Sequence, residues 1–537
     1  MYEFSNIQRT KHLVPFLVLL VSLSNQVTCG RILIITQAPF YSHGSVMRGL
    51  GLALHKRGHE IVMITSFPTK NLSLINYTEI DFSENYDRSL NFKFHDGIFN
   101  YRNIMGINMH IKNYLYNFTR CFFEHPDVQK IYRKNNKEKI DLIIAESVYS
   151  HGVFYVARVL NIPVIGITTL DFHAHQSYMW GIPLLPSHLS HWEFDGLIEP
   201  NMSLSLKVRN FIYTMLVLRD WYNFEVEQVH DLVKSYLGNN TPSFFELRRN
   251  ISLFLVNHDL LLGFAKPVTP NVIYFNGFHI MENPPPLPSD MDEFLRKAHD
   301  GFIYMSLGTI VSSSLLSDNA IRSIFNVFSR LPYKILWKFE TNDALPKHPN
   351  IFTSKWIPQQ SVLARPNTKL FVYQGGLQST EEAIHYGVPI VGIPIFIDQI
   401  FRIKKLVSHG VGRMLEFNKY DEETFREAVN DVLNNERYKT KMLKLRELMN
   451  DKPYDSKNHT LWWIEYVMRR KEVPHLHFSG ADDPCITSAL VSFGINNSLV
   501  NEYTDIKLME SAKIQGSNYK FFHLALEGKI VGGLLLR

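Results

Sequence analysis

The chain has 537 residues, 45% apolar and 20% charged, an ordinary globular composition with enough material for two domains and substantial cores. Its formal charge of +5 is spread over lysines and arginines that form no long basic block, and no zinc-finger or RNA-binding signature accompanies it, so nucleic acid is excluded as the expected partner. Internal repeats and a disorder-type composition are likewise not indicated.

At the N-terminus, Lys11 is followed by an apolar run from Leu13 to Leu23 and then by Val27-Thr28-Cys29. This predicts a cleaved signal peptide over residues 1–29, because the run is too short for a comfortable membrane span. Asn-x-Ser/Thr sequons at Asn71, Asn76, Asn117, Asn201, Asn250 and Asn458 fit the lumenal compartment that a signal implies. The cysteines Cys29, Cys121 and Cys485 are too few for a disulfide scaffold and lack metal-ligand spacing, so the fold has to stand on its apolar cores.

From residue 30 the pattern alternates. Arg31-Ile-Leu-Ile-Ile-Thr36 reads as a buried strand, a helical pattern runs through Leu50 and Leu54, and Ile61-Val-Met-Ile64 reads as the next strand. Asp141-Leu-Ile-Ile-Ala145 and Ile162-Pro-Val-Ile-Gly-Ile167 flank a helix-like segment from Val153 to Leu160. Such alternation predicts a doubly wound parallel sheet over residues 30–283. Asn283-Pro-Pro-Pro-Leu-Pro288 breaks it, since consecutive prolines continue neither a helix nor a central strand. A second series follows over 284–450, with strands at Phe302–Ser306, Tyr333–Phe339, Ile351–Trp356, Leu370–Tyr373 and Pro389–Ile393. The fold class is therefore α/β, two facing Rossmann-like domains with an interdomain cleft. Residues 451–480 read as a closing amphipathic helix with an aromatic face around Leu461–Met468. Residues 481–537 offer no periodic face and no apolar stretch near the roughly 20 residues a membrane helix needs, so a weakly ordered tail and at most peripheral membrane association are expected.

In the second half, Gly375-Gly376 lies between a strand and a helix pattern, where backbone amides approach a phosphate closely. Ser379 and Thr380 add hydroxyls on the first turn, and Ser306, Gly308 and Thr309 sit at another strand end aimed at the same crevice. Each alone reads as a capped turn; in this order they favour a diphosphate site. Trp356 offers an aromatic face for a uracil ring, and Gln359 an amide that both donates and accepts on a pyrimidine edge. The stretch from Trp356-Ile-Pro-Gln359 through Tyr373-Gln-Gly-Gly-Leu-Gln-Ser-Thr-Glu-Glu-Ala383 to Pro394-Ile-Phe-Ile-Asp-Gln399 resembles the signature of the animal UDP-glucuronosyl- and UDP-glucosyltransferase family, whose layout the chain follows from about residue 30 to about residue 480. The resemblance implies a GT-B fold, Glu382 accepting from the ribose hydroxyls, and Asp398 and Gln399 holding the hydroxyls of the transferred sugar. It also shows departures: Gln374 stands where the family commonly has histidine, and Gly277-Phe278 where it often has paired glycines. Gln374 still donates to a phosphate oxygen but carries no positive charge.

In the first half, His43 follows the first strand within Pro39-Phe-Tyr-Ser-His-Gly44, where an open parallel sheet presents side chains to its ligand crevice, and it matches the family's catalytic histidine. An acceptor hydroxyl needs such a base, and the base needs a carboxylate to hold its tautomer. Glu146, after the strand ending at Ala145, is the expected partner, at a position where the family more often has Asp; Asp171 is the reserve, and Asp141 lies at the wrong end of its strand. The implied reaction is inverting transfer of a hexose, glucose or glucuronate, from a UDP-sugar to a hydroxyl of a small lipophilic acceptor, a conjugation of the detoxification type. No cofactor and no metal are required. Asp290-Met-Asp292 has the Asp-x-Asp form of metal-dependent transferases, but with Glu293 it reads as a helix capping box. Gly49-Leu-Gly51 lacks the third glycine of a dinucleotide fingerprint and reads as helix packing, against a nicotinamide-dependent epimerase. His173-Ala-His175 and His475-Leu-His477 read as ordinary surface or pocket histidines, with His173 and Tyr178–Trp180 as candidates for the acceptor pocket. The rival reading is a catalytically silent UDP-sugar carrier. An endoplasmic reticulum lumen location is expected, and self-association is left open.

Overall fold

The computed structural model describes residues 29–478, apart from the segments 38–39, 70–72, 85–103, 134–138, 149–150, 183–184, 186–202, 264, 310–315, 341–344, 396 and 418. The signal-peptide and tail readings, and the sequons at Asn71 and Asn201, lie outside the described residues.

Two parallel sheets form the frame. In the first, strands β1 (Arg31–Ile35), β2 (Glu60–Thr65), β3 (Tyr77–Asp81), β4 (Leu142–Glu146), β5 (Val164–Thr168), β6 (Ile251–Asn257) and β7 (Val272–Phe275) lie in the order β3-β2-β1-β4-β5-β6-β7. In the second, β8 (Phe302–Ser306), β9 (Lys334–Lys338), β10 (Ile351–Ser354), β11 (Thr368–Tyr373), β12 (Ile390–Gly392) and β13 (Gly412–Met414) lie in the order β10-β9-β8-β11-β12-β13. All pairings between these strands are parallel. Central strands such as Ile32-Leu33-Ile34-Ile35 are buried throughout because helices cover both faces, which is why they are continuously apolar instead of alternating. β3, β6, β7 and β13 are additions to the strands read from sequence.

The strand order reverses between β1 and β4 in one sheet and between β8 and β11 in the other. Each reversal opens a crevice beyond the carboxyl ends of the strands, the usual ligand position in open α/β sheets. Glu146 and Ser306 end β4 and β8, and Gln374 follows β11.

Residues 276–288 connect the sheets. Gly49, inside the helix Tyr41–Lys56, has no room for a side chain, since a Cβ there would run into the Phe278 carbonyl; this is the packing role expected of Gly49-Leu-Gly51. Beyond the prolines, the capping-box reading of Asp290 is corrected. The helix Ser289–Arg296 is capped at Pro288 without a side-chain bond, which places Asp290 and Asp292 inside the first turn. Asp290 Oδ1 accepts from Met291 N–H at 2.8 Å, and Asp292 pairs with Arg296 and Arg365.

The helix Ser456–Arg470 returns to the first domain. Leu461, Ile464 and Val467 join the apolar cluster that contains Ile32, Leu142 and Leu253, and Arg57 donates to both oxygens of Glu465 at 3.0 Å. Its aromatic face is partly exposed, with Trp462 stacked on Tyr466. His173 and His175 are neither surface residues nor part of the lining of the cavity between the sheets, and Tyr178–Trp180 are likewise absent from that lining: both histidines are buried, stacked on each other, and His175 stacks on Trp221 of the helix Leu204–Tyr222.

Candidate active site

Between the two sheets lies a cavity of about 1240 Å³ lined from both sides, with His43 and Glu146 on one wall and Ser306, Gly308, Gln374 and Glu382 on the other.

On the first wall, His43 lies in the first turn of the helix Tyr41–Lys56, which follows β1. His43 Nδ1 lies 2.5 Å from Glu146 Oε1, and both side chains are almost wholly buried. Glu146 Oε2 accepts from the Gln37 N–H at 3.0 Å, so the carboxylate is oriented from two sides. Gln37 Nε2 also donates to the Glu146 carbonyl at 2.5 Å, fixing the end of β4 against the end of β1. Thr169 Oγ1 approaches His43 Nδ1 at 2.7 Å and donates to Glu146 Oε1 at 3.3 Å. An imidazole whose Nδ1–H is held by a carboxylate presents Nε2 as a proton acceptor.

Asp171, the reserve partner, is directed elsewhere. Burial pushes its carboxyl up, but Lys266, donating to both oxygens at 3.0 Å, and His258 hold it below the usual range. Asp141 sits at the opposite end of β4 and accepts from Arg31 N–H at 2.9 Å.

On the second wall, Gly375 adopts φ +95°, and a Cβ there would sit 2.7 Å from Ile403 Cγ1, so the turn requires glycine. Gly376 caps the helix Leu377–His385. The N–H groups of Leu377, Gln378 and Ser379 precede the first intrahelical bond, from Thr380 N–H to Gly376 O at 2.9 Å, and with the helix dipole they form an anion-favouring end. Gly308, at φ +85°, packs against the Gln374 amide so closely that a Cβ would collide with it. Thr309 lines the cavity beside it. Gln374 itself is buried, and its Oε1 has no hydrogen-bond partner among the described residues.

Trp356 is half exposed and meets Tyr41 of the opposite domain edge to face at 5.1 Å. Gln359 is already engaged: its Nε2 donates to Glu382 Oε2 at 2.6 Å and Ser379 Oγ at 2.9 Å, and its Oε1 accepts from Tyr304 at 3.2 Å. Glu382 Oε1 accepts from Gln360 at 3.1 Å. Burial pushes the Glu382 carboxyl up to about 7 against those two amide bonds. Asp398 and Gln399 line the cavity; Asp398 is bound by Arg402 at 3.1 Å, and Gln399 Oε1 accepts from Ile395 N–H at 3.0 Å.

The sequence reading of Thr380 is corrected. Its hydroxyl donates to Gly376 O at 2.9 Å and lies 2.7 Å from Tyr373 OH, fully buried on the face of the helix turned to β11. At about 100° per residue, Thr380 points away when Ser379 faces the cavity. Gly375 likewise supplies the turn and is not part of the cavity lining, its carbonyl accepting from Arg402 at 2.8 Å.

Residues outside the sequence reading complete the site. Lys338, at the end of β9, lines the cavity and donates to Gly308 O at 2.9 Å while pairing with Glu340. Its position at the carboxyl end of a strand was the available signal. His279, on the interdomain connection, bonds to Gln378 O at 3.1 Å, and burial pushes it down to about 4.

Two facing parallel-sheet domains with a glycine-turn helix end opposite a histidine–carboxylate pair define a GT-B glycosyltransferase. The family model described as UDP-glucoronosyl and UDP-glucosyl transferase matches residues 30–485, and the chain belongs to that family. It is a UDP-glycosyltransferase, moving a hexose from a UDP-sugar. It is 29% identical to a UDP-glycosyltransferase of Dactylopius coccus over 82% of this chain and 84% of the relative. It is 30% identical to an ecdysteroid UDP-glucosyltransferase of the Mamestra brassicae nuclear polyhedrosis virus over 86% of this chain and 89% of the relative. Among solved structures, the spinosyn forosaminyltransferase SpnP shares the fold, with a TM-score of 0.53 at 14% identity over 82% of this chain and 99% of that one.

Proposed function

We propose that the chain transfers the hexose with inversion to a hydroxyl of a small lipophilic acceptor, with His43 as general base and Glu146 as the carboxylate that orients it. The observation that carries this reading is the 2.5 Å contact between His43 Nδ1 and Glu146 Oε1 in the cleft wall opposite the glycine turn. The acceptor O–H gives its proton to His43 Nε2 as its oxygen bonds to the anomeric carbon; the bond from that carbon to UDP breaks, and the electron pair leaves with the diphosphate. The amides of the Leu377–His385 helix end and the Gln374 side chain stabilise the charge that develops there. A single displacement inverts the anomeric centre.

The other site assignments support the same reading. Trp356 supplies a face for uracil, Glu382 a carboxylate for ribose, and Asp398 and Gln399 polar groups for the sugar, while Ser306, Gly308 and Thr309 shape the far side of the diphosphate turn. The proposal needs no metal: Asp290 and Asp292, the Asp-x-Asp pair, are taken up by the Met291 N–H, Arg296 and Arg365. The donor panel is UDP-glucose and UDP-glucuronate against phenolic acceptors, with and without chelator, following UDP release, product mass and anomeric configuration by NMR. Inverted product at an undiminished rate in chelator is expected; retained configuration or chelator-dependent turnover contradicts the mechanism. The intact His43–Glu146 pair speaks against the silent carrier.

The same reading includes a lumenal, signal-bearing glycoprotein of the endoplasmic reticulum acting in detoxification-type conjugation, with peripheral membrane association. Asn76 is exposed and suits glycosylation, whereas Asn117 lies within the helix Ile104–Glu124, Asn250 Nδ2 donates to Glu246 O at 3.0 Å and Asn458 accepts from Arg57 at 2.9 Å. Among the described residues no helix is long and apolar enough to cross a membrane. Glycosidase mobility shifts and alkaline carbonate extraction of microsomes test these points: an unshifted band refutes the glycoprotein, and recovery in the extracted membrane pellet refutes peripheral attachment.

A further inference from the structure

Thr169 stands one residue beyond β5, is fully buried, and reaches both members of the pair. Its Oγ1 lies 2.7 Å from His43 Nδ1 and 3.3 Å from Glu146 Oε1. A histidine that takes a proton on Nε2 carries its single hydrogen on Nδ1, and at 2.5 Å that hydrogen belongs to Glu146 Oε1. The threonine hydroxyl then has one acceptor to serve, the same carboxylate oxygen. With the Gln37 N–H on Oε2, each carboxylate oxygen is held by a donor other than the imidazole. A carboxylate fixed in this way orients the ring and remains an acceptor when the imidazolium forms.

Thr169 is itself held from the far side of the cleft. Its carbonyl accepts from Gln378 Nε2 at 3.0 Å, and Gln378 lies in the first turn of the helix Leu377–His385, whose end is the proposed diphosphate site. The neighbouring Thr168 hydroxyl donates to Leu170 O at 3.1 Å and accepts from Leu170 N–H at 3.3 Å, which folds the strand end into a tight local turn. Thr169 is absent from the cavity lining, so it acts through its neighbours and not on substrate.

We propose that Thr169 is a positioning residue of the transfer reaction, its hydroxyl fixing the Glu146 carboxylate against His43. The inference rests on His43 being the base.

Thr169→Val keeps the shape and removes the hydroxyl; Thr169→Ser keeps the hydroxyl and removes the methyl. Turnover, acceptor and donor KM, and UDP affinity by calorimetry are measured for both and for His43→Ala. The valine variant is expected to lose about tenfold in kcat, the scale of one buried hydrogen bond to a charged group, with KM and UDP affinity changed by less than about twofold. The serine variant is expected to stay within about twofold of the parent. Undiminished kcat in the valine variant overturns the inference, as does an equal loss in valine and serine, which reports methyl packing. If the valine variant does not fold, Thr169→Cys makes the same comparison with a weak donor. An active His43→Ala variant removes the base reading itself, whereas an inactive one beside a fully active valine variant removes only the role of Thr169.

Discussion

Glu381 makes the interdomain connection sensitive to pH, and Glu381→Gln isolates that effect. The carboxyl is buried in the helix Leu377–His385, where Oε2 accepts from Gly277 N–H at 3.2 Å and lies 3.5 Å from His279 Nδ1. The Asn257 amide donates to Oε1 at 2.7 Å in the orientation that pairs both of its ends. Burial pushes the group up to about 8; the Gly277 bond, Arg402 and Lys452 oppose this, and Asp259 adds to it. An ordinary glutamate in the unfolded chain titrates near 4.5. Below that pH both states hold the proton and the contribution is fully present. As pH rises towards about 8 the unfolded chain gives up a proton that the folded chain keeps, so stability falls, and above about 8 the decline ends. One unit of separation is worth ~1.4 kcal/mol. If relaxation around the ionised group leaves only that much, the fall begins near pH 4, and the parent loses roughly 2–5 °C more in melting temperature than the variant between pH 4 and pH 8. Thermal unfolding of the UDP-free protein across that range supplies the assay, each chain compared with itself. Parallel curves for parent and Glu381→Gln refute the reasoning.

The donor wall gives further expectations. Since a carboxylate accepts from ribose hydroxyls and a carboxylic acid does so less well, Glu382, at about 7, should make UDP affinity rise from pH 6 to pH 8, and Glu382→Gln should flatten that rise relative to the parent; equal slopes in calorimetry count against the ribose assignment. Gly308→Ala places a Cβ against the Gln374 amide at φ +85°, so UDP affinity should fall at least about tenfold with a stability loss of ~1–3 kcal/mol, and unchanged affinity would separate this turn from the donor. Gln374→His supplies a group able to become cationic beside the helix end and should raise turnover a few-fold; weaker UDP binding with slower turnover contradicts the assigned geometry.

Much of this was legible in the sequence for identifiable reasons. β1, β4, β8 and β11 are buried on both faces, so they stand out as apolar runs, and the residues directly after them fall at the sheet reversals. β6 carries the same signal in Ile251–Asn257, whereas β13 spans only Gly412–Met414 and gives a pattern too short to read. Thr380 neighbours Ser379 in sequence, but helical geometry turns it away from the cleft to Tyr373. The Asp290 capping box failed because Pro288 occupies the cap two positions earlier. The burial of His173 and His175 is not visible locally, because Trp221, which stacks on His175, comes from a distant helix. Thr169, Gln378 and His279 depend on contacts between elements far apart in sequence, and local pattern carries no trace of those.

Transfer by His43→Ala, measured beside UDP binding, tests the role of His43 as the base most directly. The proposed UDP site lies on the opposite wall, so the variant should bind UDP within about twofold of the parent while turnover falls by at least about a hundredfold, the usual contribution of a general base. Glu146→Gln should lose less, and the double variant should be no worse than His43→Ala, because the carboxylate acts through the imidazole. Parent-like turnover in His43→Ala would contradict the account.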